Sequence, residues 1–202
     1  GGIPGSSQGT SGETLGFAAG APRGPGGSHG GSGSQYSGAS RVASLPYGDP
    51  LHPVTLGSGG GEWGGPGADG GGAIRVIARD QVIVDGEIRA DGAVSIGSAS
   101  GEGAGGSIWI TTPRLSGVGA VHANGGTSAG SNHTGGGGGR IAIDAEFVDP
   151  AADLVAARRV NAIGGDGYYG DGSPGTLFLR IGAGARGDLV IDQGLVSGTW
   201  PM

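Results

Sequence analysis

Short runs of alternating apolar residues recur in the second half of the chain at a nearly fixed interval. Ala73-Ile74-Arg75-Val76-Ile77 is followed by Ser107-Ile108-Trp109-Ile110, Arg140-Ile141-Ala142-Ile143 and Thr176-Leu177-Phe178-Leu179. The equivalent residues Ile74, Ile108, Ile141 and Leu177 are 34, 33 and 36 positions apart. A second set keeps pace, with Ile88, Val121 and Val160 at its centres. Alternation with period two sends Ile74, Val76, Ile108, Ile110, Ile141, Ile143, Leu177 and Leu179 to one face of their strands. A fixed repeat of this length marks a solenoid, whose units bury their apolar faces on one another. The pattern therefore predicts an all-β chain, a right-handed parallel β-helix with two or three short strands per turn. Gln81-Val82-Ile83-Val84, Ala93-Val94-Ser95-Ile96 and Asp188-Leu189-Val190-Ile191 read as further strands. The one helix signal is Asp149 to Ala157, where Pro150 and an alanine-rich run predict one or two helical turns in a surface insertion.

Glycine supplies 53 of the 202 residues, and it is clustered between the strand columns. Residues 57–72, 97–106, 125–139 and 164–175 fall at the same point of each repeat and are expected to stack along one flank. Interlocked extended glycine segments and loose flaps both satisfy that placement. The expected organisation is a glycine-rich N-terminal segment over residues 1–53, packed on β-helix repeats over residues 54–202. All eleven basic residues are arginine, seventeen residues are acidic, and the net charge is −6. That balance argues against nucleic acid as a partner. No apolar stretch approaches the roughly 18 residues of a membrane span, which argues against membrane insertion. Without cysteine, disulfides and thiolate metal sites are excluded. The Gly1 and Met202 ends carry no targeting signal, and the chain reads as a piece of a longer polypeptide.

Gly27-Ser28-His29-Gly30-Gly31, Pro46-Tyr47-Gly48, Leu56 to Gly61, Gly70 to Ile74, Gly135 to Ile143 and Gly175 to Leu179 together resemble glycine-rich repeat regions of very large secreted or surface proteins of environmental bacteria. The resemblance implies an extracellular, adhesin-like or scaffold setting and supplies no catalytic residues. The expected function is thus a structural or adhesive module of a secreted or cell-surface protein or filament, without catalysis. Its expected partners are neighbouring repeats or copies of itself end to end, and surface glycans. The alternative is a carbohydrate-binding or carbohydrate-cleaving β-helix.

Several motifs bear on that choice. Gly26-Gly27-Ser28-His29-Gly30 matches the nucleophile elbow of serine hydrolases, but such matches arise by chance in a chain this rich in glycine and serine. Asp80, Asp85, Glu87 and Asp91 place carboxylates near Arg79 and Arg89, the residue types of glycoside chemistry; a solvated strand face has the same composition. Gly164 to Gly172 approximates a calcium-binding nonapeptide, except that Tyr169 stands where an aspartate is needed. Asp166 and Asp171 are the candidate calcium ligands, and no other cofactor is expected. The outward positions of the first strand column read Arg75, Trp109, Ala142 and Phe178. Arg75, Trp109 and Phe178 are the candidate ligand-binding residues, with a cation–π contact expected between Arg75 and Trp109. The competing expectation is that the N-terminal segment folds back over this column.

Overall fold

The computed structural model describes residues 24–35, 43–96, 99–128, 130–155 and 158–191. Among the described residues nine strands follow one another: β1 (Ala73–Ile77), β2 (Gln81–Ile83), β3 (Glu87–Arg89), β4 (Ser107–Ser116), β5 (Ala120–His122), β6 (Arg140–Val148), β7 (Val160–Asn161), β8 (Thr176–Ile181) and β9 (Asp188–Val190). Strands β1 to β8 form two parallel sheets that climb as a β-solenoid of about three turns. In the first sheet β1 and β2 pair with β4, β4 with β6 and β6 with β8; in the second, β5 lies between β3 and β7. Among the described residues no helix is long and apolar enough to cross a membrane.

The register is the one that the repeat requires. Ile74, Ile108, Ile141 and Leu177 are directly paired across the first sheet, as are Val76, Ile110, Ile143 and Leu179. Ile108, Ile110, Ile141 and Ile143 are fully buried, with Leu115, Val121 and Leu154 beside them. Each such side chain contributes about 1.5–3 kcal/mol by leaving water. The end turns bury less: Ile74, Val76, Leu177 and Leu179 are only partly covered, because among the described residues no further parallel turn stacks on them: β1 pairs with β4 alone, and β8 meets the antiparallel β9 in place of another coil. Thr112 and Pro113 mark the corner of β4, where the Thr112 hydroxyl donates to the Arg114 carbonyl at 3.0 Å. A proline lacks the ladder N–H, so it suits this bend.

Opposite the two sheets the coil is closed by glycine backbone. Each turn sends out a hairpin whose arms are extended, and the hydrogen bonds of one arm recur every three residues. Gly101 and Ala104 donate to Gly61 and Ser58, Glu102 and Gly105 to Thr134 and Gly137, and Gly103 and Gly106 to Ala93 and Ala90. Three neighbours, each met at every third residue, is the geometry of a helix with three residues per turn, the polyproline II helix. The 135–140 arm repeats the scheme: Gly136 and Gly139 donate to Gly126 and Ala123, Gly135 and Gly138 to Gly170 and Ser173, and Gly137 to Gly27. Residues 24–34 form an additional hairpin in the same lattice, with Gly31 donating to Gly138 and Ser34 to Gly135. The glycine segments therefore interlock.

Glycine is required here for closeness. A Cβ on Gly103 would lie 1.8 Å from the Asp69 carbonyl oxygen, and one on Gly136 would lie 2.0 Å from that of Gly103. Neither residue is among the glycines with positive φ, so a side chain is excluded by the neighbouring backbone and not by torsion.

Three sequence expectations are corrected. Residues 149–155 form turns in place of helix, because the Asp149 carboxylate accepts the Ala151 N–H and that of Asp153 accepts the Val155 N–H, which ties the backbone into local loops. Residues 93–96 are not a strand but the outgoing arm and tip of a lattice hairpin, and Ile96 is 96% exposed. β9 does not continue the parallel coil. It turns back antiparallel on β8, pairing Val190 with Leu177 and Asp188 with Leu179.

Candidate functional site

The outward column of the first sheet is built as the register predicts and then partly roofed. Arg75 and Trp109 are paired on adjacent strands, and the guanidinium carbon stands 4.0 Å from the indole centroid. A strap formed by residues 47–53 crosses the same face. Its His52 ring meets Trp109 edge-on at 5.1 Å, and the Asp49 carboxylate fixes His52 at 3.1 Å. The backbone N–H of Leu51 and then His52 hold the Asp49 carboxyl below its ordinary range. At the far end of the column Phe178 lies under Gly187, where a Cβ would come within 2.0 Å of the ring.

Between Trp109 and Phe178 the outward residue is small. Ala142 leaves a hollow of about 70 Å³, walled by Leu51 and His52 on the strap side. Asp144 and Arg180 stand at its mouth. Arg180 donates through Nε to one Asp144 oxygen at 2.9 Å and through a terminal nitrogen to the other. That guanidinium keeps the Asp144 carboxyl below the usual carboxylate range. Trp109, Phe178 and Arg75 thus belong to one face, with Arg75 serving as a cover for the indole and not as a lining of the hollow. The sequence pattern did not single out Ala142, Asp144, Arg180 or the strap residues. Asp144 and Arg180 were legible as cross-strand partners in register; a cover from the N-terminal segment was expected, but not that residues 47–53 form it, because nothing in their pattern fixes where they cross.

The second sheet carries a wider groove of about 270 Å³ lined by Arg89, Asp91, Val94, Asn124, Thr127 and Ile163. Its polar groups are engaged in the repeat itself. Asp91 accepts the Asn124 N–H at 2.7 Å, and Asn124 accepts the Ile163 N–H at 3.0 Å, a ladder from turn to turn. Arg89 lies between Glu87 and Asp91 and pairs with both, so the glycosidase-like acids serve as its counter-ions. Asp85 accepts the Val118 N–H at 3.3 Å.

At the hairpin tips, Ser95, His133 and Glu102 come together without any signal in their spacing. Buried Glu102 accepts the Ser95 N–H and, at 3.0 Å, its hydroxyl; its Oε1 lies 2.9 Å from His133 Nδ1. Ser95 Oγ is also 3.0 Å from that same Nδ1. A catalytic triad needs one imidazole nitrogen for the serine and the other for the acid. Here one nitrogen faces both, so the trio is a clasp between adjacent tips. Burial raises the Glu102 pKa against the pull of Ser95 and His133.

The serine-hydrolase match is likewise structural. Ser28 is fully buried, and its hydroxyl accepts the Gly33 N–H. Neighbouring His29 is held between the Gly105 carbonyl and the Thr55 hydroxyl, each at 2.8 Å. Burial lowers its pKa from 6.5 to about 4. Tyr47 packs 5.0 Å from His29 and donates to the Leu56 carbonyl; burial raises its phenol. Arg140 donates to the Tyr47 carbonyl and the Thr176 hydroxyl, and burial lowers its pKa. This buried cluster ties the strap to the coil.

Asp166 and Asp171 lie in the last tip, both exposed. Asp171 accepts the Gly167 N–H at 3.2 Å, an ordinary turn contact. Among the described residues no three histidine, cysteine or acidic side chains converge as a metal site. No family model, curated protein or solved structure matches the chain.

Proposed function

We propose that this chain is a structural and adhesive β-solenoid module of a secreted or cell-surface bacterial protein or filament, without a catalytic role. The observation that carries the reading is the glycine lattice. Hydrogen bonds from one arm reach three neighbouring arms, so adjacent turns are joined along the flank as well as through the sheets. Such a body resists deformation and presents its sheet faces as fixed surfaces, which suits a spacer or an adhesive unit exposed to load. The roofed aromatic face supports the adhesive half of the reading.

Retention under flow tests this directly. Beads coated with the full chain are expected to stay attached to bacterial cells that carry surface polysaccharide, whereas beads coated with heat-unfolded chain detach. Equal detachment of both bead populations would remove the adhesive role.

A further inference from the structure

The hollow beneath the strap has a size and polarity that select among ligands. An apolar cavity of about 150 Å³ holds benzene, a six-carbon guest; the hollow, at about 70 Å³, takes a group of three or four heavy atoms. Apart from Asp144 and Arg180 the lining is Leu51, Trp109, Ala142, Ile143 and Phe178, with the His52 ring as the one polar group on the strap side, so the buried end of the guest is a methyl. Its mouth is a carboxylate and a guanidinium that already neutralise each other, which disfavours a charged guest. Both retain capacity. The paired Asp144 carboxylate has acceptor sites beyond the two used by Arg180, and Arg180 has five N–H donors of which two are spent. Their side chains are 30% and 46% exposed, within reach of a ligand at the surface. A methyl flanked by one N–H donor and one carbonyl acceptor answers every one of these features.

We propose that the hollow between Trp109 and Phe178 binds the acetamido group of an N-acetylated amino sugar at the end or branch of a glycan. The methyl lies between Trp109 and Phe178 beneath Leu51, above buried Ala142; the amide N–H donates to Asp144, and the carbonyl accepts from Arg180. The pyranose ring stays outside, against Leu51 and Phe178. An aliphatic side chain of a protein partner fits the floor equally, but it would desolvate the Asp144–Arg180 pair and return no hydrogen bond. The assignment rests on the adhesive reading and gives it a ligand class.

Titration of the full chain with N-acetylglucosamine, glucose and an N-acetyllysine peptide, followed by calorimetry and by the Trp109 indole N–H resonance, tests it. N-acetylglucosamine is expected to bind roughly 10- to 100-fold more tightly than glucose, the range that one small apolar group in a fitted pocket provides, and to shift the Trp109 signal. Ala142→Leu fills the hollow from its floor and should abolish the preference; Arg180→Ala, on the exposed rim, should weaken it without altering the melting temperature. Equal affinity for both sugars, or tighter binding of the peptide, would overturn the proposal. So would a preference that survives Ala142→Leu. If beads adhere while no N-acetyl sugar binds, this assignment falls and the adhesive reading stands; if the sugar binds and the beads do not hold, the reverse applies.

Discussion

Gly136 has no room for even one carbon, since its Cβ would meet the Gly103 carbonyl oxygen at 2.0 Å, whereas a Cβ on Gly86 would meet nothing within 4 Å. The two glycines therefore predict opposite outcomes for the same substitution. Gly136→Ala must push two lattice arms apart and break hydrogen bonds on more than one side; a loss of about 3 kcal/mol or more is expected. Gly86→Ala should be neutral or slightly stabilising, because it only restricts the unfolded chain. Chemical denaturation of both variants decides this. Titration of a buried side chain adds a second test at this scale. His29 is neutral in the folded state until the pH falls to about 4, while in the unfolded chain it protonates near 6.5. Its contribution is present above pH 6.5 and is lost as the pH falls towards 4, amounting to about 3 kcal/mol at the low end. The stability difference between the parent and His29→Gln should shrink across that window; a pH-independent difference would show that His29 is not buried as described.

Within the elements, the strand columns were readable because their period is two and their register is set by burial on one face. Ile108 and Ile141 are paired and fully buried, so Ile141→Asp places a carboxylate where no donor reaches it. It should cost several kcal/mol, and a variant with the parental melting temperature would contradict the inward column. The glycine segments were readable as positions but not as structure. Their order lies in backbone hydrogen bonds at a three-residue repeat, and no side-chain alternation records those. Two of the misread elements fail for related reasons. Ala93 to Ile96 alternates like a strand, yet Glu102 captures the Ser95 N–H and turns the segment into a hairpin tip. Asp149 to Val155 is rich in helix formers, yet its two aspartates bind their own backbone N–H groups first. The candidate site was half legible: Trp109 and Phe178 stand out as aromatic residues at outward positions, while the hollow depends on the smallness of Ala142 and on a strap whose path the sequence leaves open.

Across the whole molecule, two kinds of core share the burial. Branched aliphatic side chains fill the space between the sheets, and glycine backbone fills the flank where side chains have no space. That division explains how a chain with 35% hydrophobic residues orders so many of them. The two ends of the coil also differ. β9 lies antiparallel over β8 at one end, whereas at the other, among the described residues, β1 and β2 pair with β4 alone. Stacking of copies through that first turn predicts a molar mass by light scattering that rises with concentration, and a constant monomer mass would exclude it.

The central claim is that the glycine lattice is a true second core, as firmly closed as the aliphatic one. Native-state hydrogen exchange measures this residue by residue, because amides opened only by global unfolding exchange most slowly. The N–H groups of Gly103, Gly105, Gly136 and Gly138, whose acceptors are Ala93, Gly137, Gly126 and Ser173, should exchange as slowly as those of Ile108 and Ile141. Exchange of these glycine amides at the rates of exposed loops, while the isoleucines stay protected, would contradict it.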